Sequence, residues 1–350
     1  MSFYLFTLAL VMFFSYLVDK KEIQKYKFFF LFLVILSLIL ISGFRVDTTL
    51  YSDEWNYRHA FNSYDGMPFK NLKLNLFNEP GFIFLNWILA NVFHNSQSLI
   101  LVTSIITNTL ITLFIYRYTK HFTFSMFLYI SSGSFFSSMN IIRQYLAIAI
   151  ILSGFKYIEE KNLKKFLIIV FIAFLFHKSA IIMIFVYFYV NSLFIDKHKF
   201  IAFLLILLIM YNFSSILQVF ENSMYNDYVT SYMESGYGVS AIRVLFWSII
   251  YVFILWRQGF FIRQFKVKKI MFNSIFISFG IILISSLYVY VNRLDYLSIC
   301  SYTLIPMIPY CFVKKSRLVI QYLIIFLFFA FGMYSVKDMT FFEHLIFTFL

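Results

Sequence analysis

The residues around Arg143 carry polar side chains that are well placed for chemistry. Four positions follow i, i+3, i+4, i+7 spacing: Asn140, Arg143, Gln144 and Ala147. This spacing predicts one helix that carries all four on the same face. Because a charged side chain inside an apolar stretch costs about 2.5–3.5 kcal/mol, Arg143 needs an anionic partner. We favour an anionic ligand over a carboxylate of the chain itself. The carboxylates that could take its place are Asp53, Glu79 and Asp295.

A second concentration of charge follows the apolar stretch that ends near residue 44. Arg45 stands at that boundary, where a planar guanidinium either holds a phosphate through two hydrogen bonds or extends from a helix end toward the membrane surface. The acids that follow are either general bases and acceptors for sugar hydroxyls, or solvated loop residues. The aromatic residues either stack on sugar rings or lie at the membrane interface. These acids and rings are Asp47, Asp53, Glu54, Tyr51, Trp55 and Tyr57.

Polar or charged residues interrupt or border apolar stretches at three further places. His177 interrupts an apolar run at 166–190, and it is either a base or diphosphate donor, or the solvated tip of a hairpin. Glu79 precedes Pro80, which predicts an acidic helix cap. Arg293 and Asp295 form either a local ion pair or a second anion clamp. No spacing typical of metal ligands occurs, so neither a metal nor a cofactor is expected.

The composition places these residues in a membrane protein. Of the 350 residues, 61% are hydrophobic and 13% are charged, which excludes a soluble enzyme and predicts a single integral membrane domain over residues 1–350. The net charge of +13 comes from basic residues in short turns between apolar stretches. This pattern sets membrane orientation, so nucleic acid is not an expected partner.

The fold class expected is all-α and polytopic, with about ten transmembrane helices. These ten stretches are 2–18, 28–44, 98–116, 123–139, 141–158, 200–218, 241–257, 270–290, 297–313 and 318–336. Two other segments, 80–93 and 166–190, are too short or too interrupted to be assigned by length alone.

The distribution of basic residues resolves the topology. If both ambiguous segments cross the membrane, Lys and Arg divide almost evenly between its two sides. If 80–93 is an external surface helix and 166–190 a re-entrant hairpin, 20 of the 29 basic residues are cytoplasmic, as the positive-inside rule favours. We adopt the second topology. Its main external loops are 45–79 and 219–240. The cytoplasmic turns are short and contain no phosphate-binding glycine loop, so we expect the chemistry to take place outside.

At these residues the sequence resembles the EpsG family, the Wzy-like polymerases of bacterial surface polysaccharides and exopolysaccharides. The resemblance covers most of 28–191, with one similar motif beyond. The motifs are Gly43-Phe44-Arg45, Glu79-Pro80-Gly81-Phe82, Met139-Asn140-x-x-Arg143-Gln144-x-Leu146-Ala147, Phe176-His177-Lys178-Ser179-Ala180 and Arg293-x-Asp295-Tyr296. One departure is that Tyr51-Ser52 precedes Asp53, where family members often have Gly-x-Asp.

The resemblance implies polymerisation of oligosaccharide repeat units carried on undecaprenyl diphosphate, for capsule, O-antigen or exopolysaccharide. The site would face the external or periplasmic side of a multi-pass bacterial plasma (inner) membrane protein. Membrane lipid, a flippase and a chain-length regulator are the other expected partners.

The same resemblance suggests roles for the residues above. Arg143, His177 and Asp53 would be catalytic, with His177 or Asp53 as the base. Arg45, Arg143 and Arg293 would hold the diphosphate. The residues that orient the substrate would be Asp47, Tyr57, Glu79, Asn140, Gln144 and Asp295.

Three alternatives stay open at this point. The first is a membrane glycosyltransferase that uses polyprenyl-monophosphate sugars, since acids in the first external loop also suit that chemistry. The second is a flippase for lipid-linked oligosaccharides, although a flippase needs charges on both sides of the midplane. The third, an O-acyltransferase, is weaker because no membrane-embedded His has a carboxylate neighbour in sequence.

Overall fold

The computed structural model describes residues 2–46, 53–192, 239–337 and 346–347, together with a few single positions between 198 and 212. Asp47, Tyr51, the predicted span 200–218 apart from those single positions, and nearly all of the predicted loop 219–240 lie outside the described residues.

The described chain is helical throughout, apart from loops and one pair of two-residue strands, as the all-α prediction requires. The first α-helices are α1 Ser2–Asp19, α2 Lys27–Gly43, α3 Asp53–Asn62, α4 Pro80–Phe93, α5 Gln97–Tyr118, α6 Phe122–Ser131, α7 Ser134–Asn140 and α8 Ile142–Ser153. The later ones are α9 Phe155–Glu159, α10 Leu163–Phe176, α11 Met183–Val190, α12 Ala241–Trp256, α13 Gln258–Phe265, α14 Lys269–Ser285, α15 Ile299–Leu304 and α16 Arg317–Lys337.

Short 3₁₀ segments and the two strands complete the described elements. The 3₁₀ segments are Lys21–Tyr26, Phe69–Asn71, Leu76–Asn78, Lys178–Ile182, Val289–Leu294, Ile305–Cys311 and Lys314–Ser316. Strand β1, Arg45–Val46, pairs antiparallel with β2, Ile346–Phe347, so that Arg45 lies opposite Phe347.

Several of the described helices have the apolar composition of membrane-spanning segments. Their lengths do not confirm the predicted number of ten spans. Three helical segments in the described chain reach spanning length: Lys21–Gly43, Gln97–Tyr118 and Lys314–Ser335. They match the predicted spans at 28–44, 98–116 and 318–336. Helices α12 and α13 make a fourth candidate, although they are bent by 60°. The other apolar helices are shorter, at 10–17 residues.

Two predicted spans are interrupted for local reasons. The stretch 123–139 is divided between α6 and α7, because Gly133 adopts a left-handed backbone conformation with φ of 82°. The stretch 141–158 is divided at Gly154 between α8 and α9. Apolar composition alone does not register such breaks, because it reports burial and not backbone continuity.

Helix α4 has the same bounds, 80–93, as the surface helix predicted from the sequence. In the run 166–190 the α-helix stops at Phe176 and a 3₁₀ segment starts at Lys178, so the interruption falls at His177 as predicted. The surface position of α4 and the re-entrant path of 166–190 stay predictions.

Contacts divide the chain into two compact units. The first comprises 1–157, 164–181 and 302–350, and the second comprises 158–163 and 182–301. The single domain expected over 1–350 stays a prediction. In the first unit, α2 packs on α1 and α5, and α5 packs on α8. In the second unit, α14 packs on α11 and α12.

A small apolar core in the first unit joins α3, α4, α5 and the start of α8. Its buried members are Tyr57, Phe61, Phe82, Leu89, Ala90, Leu99, Ile100 and Ile142. Because α3 is short and polar on average, this core fixes it against its neighbours. The helices that carry the polar candidates are therefore held by ordinary apolar packing.

Candidate functional site

The carboxylate of Glu79 lies at the centre of the candidate site. Its Oε2 accepts a hydrogen bond from Nη1 of Arg143 at 2.6 Å. Its Oε1 lies 2.8 Å from Nδ1 of His177 and also accepts from the backbone N–H of Lys178 at 3.2 Å. Three segments far apart in sequence therefore meet at one buried carboxylate.

The motif Glu79-Pro80-Gly81-Phe82 explains locally how this carboxylate is placed. Glu79 has a left-handed backbone conformation, with φ of 54° and ψ of 57°, and Pro80 then starts α4 with its fixed φ. A Cβ on Gly81 would lie 2.9 Å from Cβ of Leu175, so only glycine allows α4 to approach the end of α10. This close approach brings Glu79 to His177.

The prediction that Glu79 caps α4 is confirmed for its position but not for its side chain. Glu79 does occupy the position before the first turn of α4, but its side chain makes no capping hydrogen bond. The left-handed backbone turns the carboxylate away from the helix and toward Arg143 and His177. A charged partner stabilises a carboxylate more than neutral backbone N–H groups do, so the Glu79 side chain binds Arg143 and His177 and not the first turn of α4.

Arg143 lies between this carboxylate and two aromatic rings. Its guanidinium carbon is 5.4 Å from the centre of the Tyr57 ring and 5.8 Å from that of Phe82, and these rings pack edge to face. Nε of Arg143 also lies 3.5 Å from the Tyr57 hydroxyl. A third of the Arg143 side chain is nevertheless exposed, against 7% for Glu79. The cation is thus held in place while part of its surface stays accessible.

The contact with Glu79 selects the tautomer of His177. An ionised carboxylate only accepts hydrogen bonds, so Nδ1 of His177 carries the proton that it donates to Oε1. In the neutral ring the lone pair is then on Nε2. A histidine oriented by a carboxylate in this way is the arrangement of a general base.

The pKa of Glu79 is lowered from its ordinary value. Burial alone would raise this pKa, but four interactions outweigh it: the hydrogen bond from His177, the electrostatic interactions with Arg143 and with His177, and the hydrogen bond from the backbone N–H of Lys178. Glu79 is therefore ionised at neutral pH, as its role as an acceptor from His177 requires.

A second buried network, here called the Arg45 hub, comprises Arg45, Glu54, Arg58 and Gln97. Nε of Arg45 donates to Oε2 of Glu54 at 2.8 Å, and Nη2 of Arg58 donates to Oε1 of Glu54 at 2.6 Å. Gln97 accepts from Arg58 and donates to the carbonyl of Gly43. Arg45 and Glu54 are almost completely buried, so the charge of Arg45 is compensated by Glu54, and that of Glu54 by Arg45 and Arg58.

Of the residues predicted for the site, the structure brings together Tyr57, Glu79, Arg143 and His177. Arg45 is in the hub, with only 1% of its side chain exposed. Asp53 begins α3 one turn before Tyr57 and is half-buried.

The predicted single helical stripe around Arg143 is wrong. Asn140 ends α7, Ile141 has non-helical angles, and Arg143 and Gln144 lie in the first turn of α8. Asn140 is therefore not one helical turn from Arg143 on a common face. Gln144 is buried.

Arg293 and Asp295 belong to the second unit, at the end of a 3₁₀ segment. The Asp295 carboxylate accepts from the hydroxyl of Ser278 at 2.7 Å and from the backbone N–H of Leu297 at 3.2 Å. Burial raises the pKa of Asp295 to about 6.

Comparison with known proteins agrees with the motifs. The EpsG family model matches residues 28–349, nearly the whole chain. The chain belongs to the EpsG family. No curated protein and no solved structure matches it. EpsG membership indicates a membrane protein of the Wzy-like class, a glycosyltransferase-type polymerase of polysaccharide repeat units.

Some residues of this EpsG protein were not selected from the sequence. Arg58 follows the candidate acid Glu54 by four residues on a helix that starts at Asp53, and this ordinary spacing of a helical ion pair was an available signal. Gln97 gave no such signal, because its partners Gly43, Arg45 and Arg58 are 39–54 residues away.

Within 2–46, 53–192 and 239–337, no group of three His, Cys, Asp or Glu residues could hold a metal ion.

Replacing Glu79 with glutamine is expected to change how stability depends on pH. The pKa of Glu79 is lower in the folded protein than in the unfolded chain, where it is about 4.3. The ionised carboxylate therefore stabilises the fold at pH values above about 4.3, and this stabilisation is lost as the pH falls through the pKa of the folded state. The variant should be less stable by about 2 kcal/mol at pH 7. It should approach the original protein below about pH 4. Thermal unfolding of detergent-solubilised protein between pH 3 and 7 measures this difference.

The exposed acid Glu160 provides the control. Glu160→Gln should shift the unfolding temperature little, and equally at both ends of the pH range. A stability difference between the original protein and Glu79→Gln that stays constant from pH 3 to 7 would show that the Glu79 carboxylate is not held as an ion.

Proposed function

We propose that this EpsG protein polymerises oligosaccharide repeat units carried on undecaprenyl diphosphate, at the external leaflet of the bacterial plasma membrane. The observation that supports this is one carboxylate, Glu79, contacting both a partly exposed arginine and a histidine. An arginine suits a diphosphate leaving group, and a histidine suits the hydroxyl that attacks.

In the reaction, a hydroxyl of the acceptor unit attacks the anomeric carbon of the glycan that is attached to the lipid diphosphate. A new carbon–oxygen bond forms, and the bond between that carbon and the diphosphate oxygen breaks. Undecaprenyl diphosphate leaves with the electron pair. The proton of the acceptor hydroxyl passes to a base of the protein, so the chain grows by one unit and no nucleotide is consumed.

Arg143 is the residue we assign to the leaving diphosphate. Negative charge grows on the bridging oxygen as the bond breaks, and a fixed cation lowers the energy of that state. The guanidinium packs beside the rings of Tyr57 and Phe82, which restrict its movement, so little reorganisation is needed when the charge develops. Glu79 binds Nη1 of the guanidinium and leaves the exposed part of the side chain for the ligand.

His177 is the residue we assign to the acceptor hydroxyl. Glu79 holds Nδ1 and stabilises the imidazolium that forms once Nε2 has taken the proton. Asp53 was the other candidate base, and it has no comparable orienting partner described. The contact between His177 and Glu79 therefore favours histidine as the base.

The external position rests on the bias of basic residues toward the opposite side of the membrane. With 20 of 29 Lys and Arg in the predicted cytoplasmic turns, the ends of the chain segments that carry Glu79, Asn140 and His177 are external. A chain-length regulator and a flippase are the partners that such a reaction would need for length control and for substrate supply.

Deleting the protein from its host tests this proposal. We expect single repeat units on the cell surface in place of a ladder of polymer lengths, because units are still made and exported but not joined. Lipid-linked units that accumulate on the cytoplasmic leaflet would contradict the proposal and favour a flippase. A protein that in liposomes extends glycans only with polyprenyl-monophosphate sugars would favour the alternative glycosyltransferase.

A further inference from the structure

Arg45 uses its whole guanidinium for contacts within the chain. Nε donates to Glu54, Nη1 donates to the backbone carbonyl of Ser42, and Nη2 donates to the backbone carbonyl of Met139. Only 1% of its side chain is exposed. A diphosphate could reach Arg45 only after these buried contacts had been broken, so direct binding of the ligand is not its role in this arrangement.

The contact with Met139 lies at the break before Arg143. In a continuous helix the carbonyl of Met139 would accept from the N–H of Arg143, four residues later. Here Ile141 has φ of −92° and ψ of 59°, and it separates α7 from α8. The break takes the Met139 carbonyl out of the regular helical hydrogen-bond pattern. The guanidinium of Arg45 donates to this carbonyl instead.

Helix α3 provides a second connection from the hub to the site. Glu54 and Arg58 lie on the face that binds Arg45. Tyr57, on the same helix, contacts Arg143 and packs on Phe82. Because Glu54 ionically fixes α3 to Arg45, a change at Arg45 acts on the Arg143 site both through the helix break and through Tyr57.

We propose that Arg45 is a positioning residue that holds the break between α7 and α8, and thereby sets the position of the Arg143 guanidinium. The proposal rests on the function proposed above, in which Arg143 contacts the diphosphate. Arg45 touches neither substrate nor reacting atoms. This positioning role replaces the diphosphate-binding role that the sequence predicted for Arg45.

The test compares Arg45→Gln with Arg58→Gln. Both variants remove one positive charge beside Glu54, but only Arg45 contacts the carbonyl of Met139. With lipid-linked repeat units in liposomes, Arg45→Gln should lower kcat about 100-fold, which is the effect of displacing a group by about 1 Å. KM should change less than about threefold, and Arg58→Gln should lower kcat less than about tenfold.

A double-mutant cycle shows whether Arg45 acts through Arg143. In an Arg143→Lys background, Arg45→Gln should lower kcat by less than about threefold further, because the group it positions is no longer there. Arg45→Lys, which keeps the charge but not the planar fork, should recover kcat only in part. If the effects of Arg45→Gln and Arg143→Lys multiply, or if KM alone rises about tenfold, Arg45 acts on the ligand directly and the proposal is overturned.

A second measurement does not depend on polymerase activity. In a protein with Cys300 and Cys311 replaced by alanine, the thiol of Arg143→Cys is labelled with a water-soluble maleimide. Adding Arg45→Gln, or Arg45→Lys if the glutamine variant does not fold, should change the labelling rate at least about threefold, whereas Arg58→Gln should not. An unchanged rate overturns the positioning role while the polymerase proposal stands. A changed labelling rate, together with no polymerase activity in the original protein that retains Arg143, supports positioning and rejects the proposed function.

Discussion

Replacing Arg143 with alanine is expected to remove long polymer from cells that carry no other copy of the protein. Loss of a donor that stabilises developing negative charge typically lowers kcat about 10²–10³-fold. Chain growth competes with export of the units, so a loss of this size should leave short chains and single repeat units. Gel electrophoresis of the surface glycan, together with immunoblotting for the membrane protein, measures the effect.

Arg143→Lys separates charge from geometry. Lysine keeps the positive charge but loses the planar guanidinium, which contacts Glu79 through Nη1 and packs near the rings of Tyr57 and Phe82. We expect shorter polymer than in the original strain, with a partial recovery relative to alanine. Arg263, which is exposed and donates to the carbonyl of Gly259 in its own helix, gives the matched control. Arg263→Gln should leave polymer length unchanged.

Normal long polymer from a stably expressed Arg143→Ala protein would remove Arg143 from the reaction. A loss of protein from the membrane would instead indicate that Glu79, once unpaired, is too costly to bury. Arg143→Lys then separates loss of folding from loss of catalysis, because it retains a cation beside Glu79. A folded lysine variant that makes normal polymer would also contradict the assignment of Arg143 to the diphosphate.

Replacing His177 with asparagine is expected to lower kcat about 10²–10⁴-fold, the range usual for a lost general base. The asparagine amide can donate to Glu79 as Nδ1 does, but it cannot accept a proton from the acceptor hydroxyl. The free energy of unfolding should therefore change little while turnover falls. Initial rates of chain growth and thermal unfolding of the same purified variant measure both effects.

His94 and Asp65 provide a matched pair for this prediction. Nδ1 of His94 lies 2.6 Å from the Asp65 carboxylate, but 64% of the His94 side chain is exposed. His94→Asn should leave kcat within about twofold, because an exposed pair contributes little and lies outside the site. Equal rates for His177→Asn and His94→Asn would assign the base to another residue.

The elements that could be predicted from the sequence are those with a local cause. Pro80 marks the start of α4, and the polar residues at 177–179 mark the interruption of the following apolar run. The need of Arg143 for an anionic partner also follows from local reasoning, since a cation near an apolar stretch cannot stay uncompensated. The favoured partner was an anionic ligand, whereas the structure pairs Arg143 with Glu79, one of the three carboxylates considered as alternatives.

The features that could not be predicted depend on contacts between distant segments. Glu79 has the sequence context of a cap, but ionic partners 64 and 98 residues away decide its orientation. Arg45 and Met139 are 94 residues apart, so nothing near either one indicates that the arginine holds the helix break at Ile141. Local propensity favoured a continuous helix there, and tertiary contacts with the hub outweigh it.

Reconstitution of the purified protein in liposomes tests the central claim most directly. Lipid-linked repeat units from a polymer-deficient strain are the only substrate, and both the glycan length and the free undecaprenyl diphosphate are measured. The account predicts a ladder of lengths with one undecaprenyl diphosphate released for each new linkage, and both products formed about 10²–10³-fold more slowly with Arg143→Ala. Single units that cross the bilayer but are never joined by the original protein would contradict it.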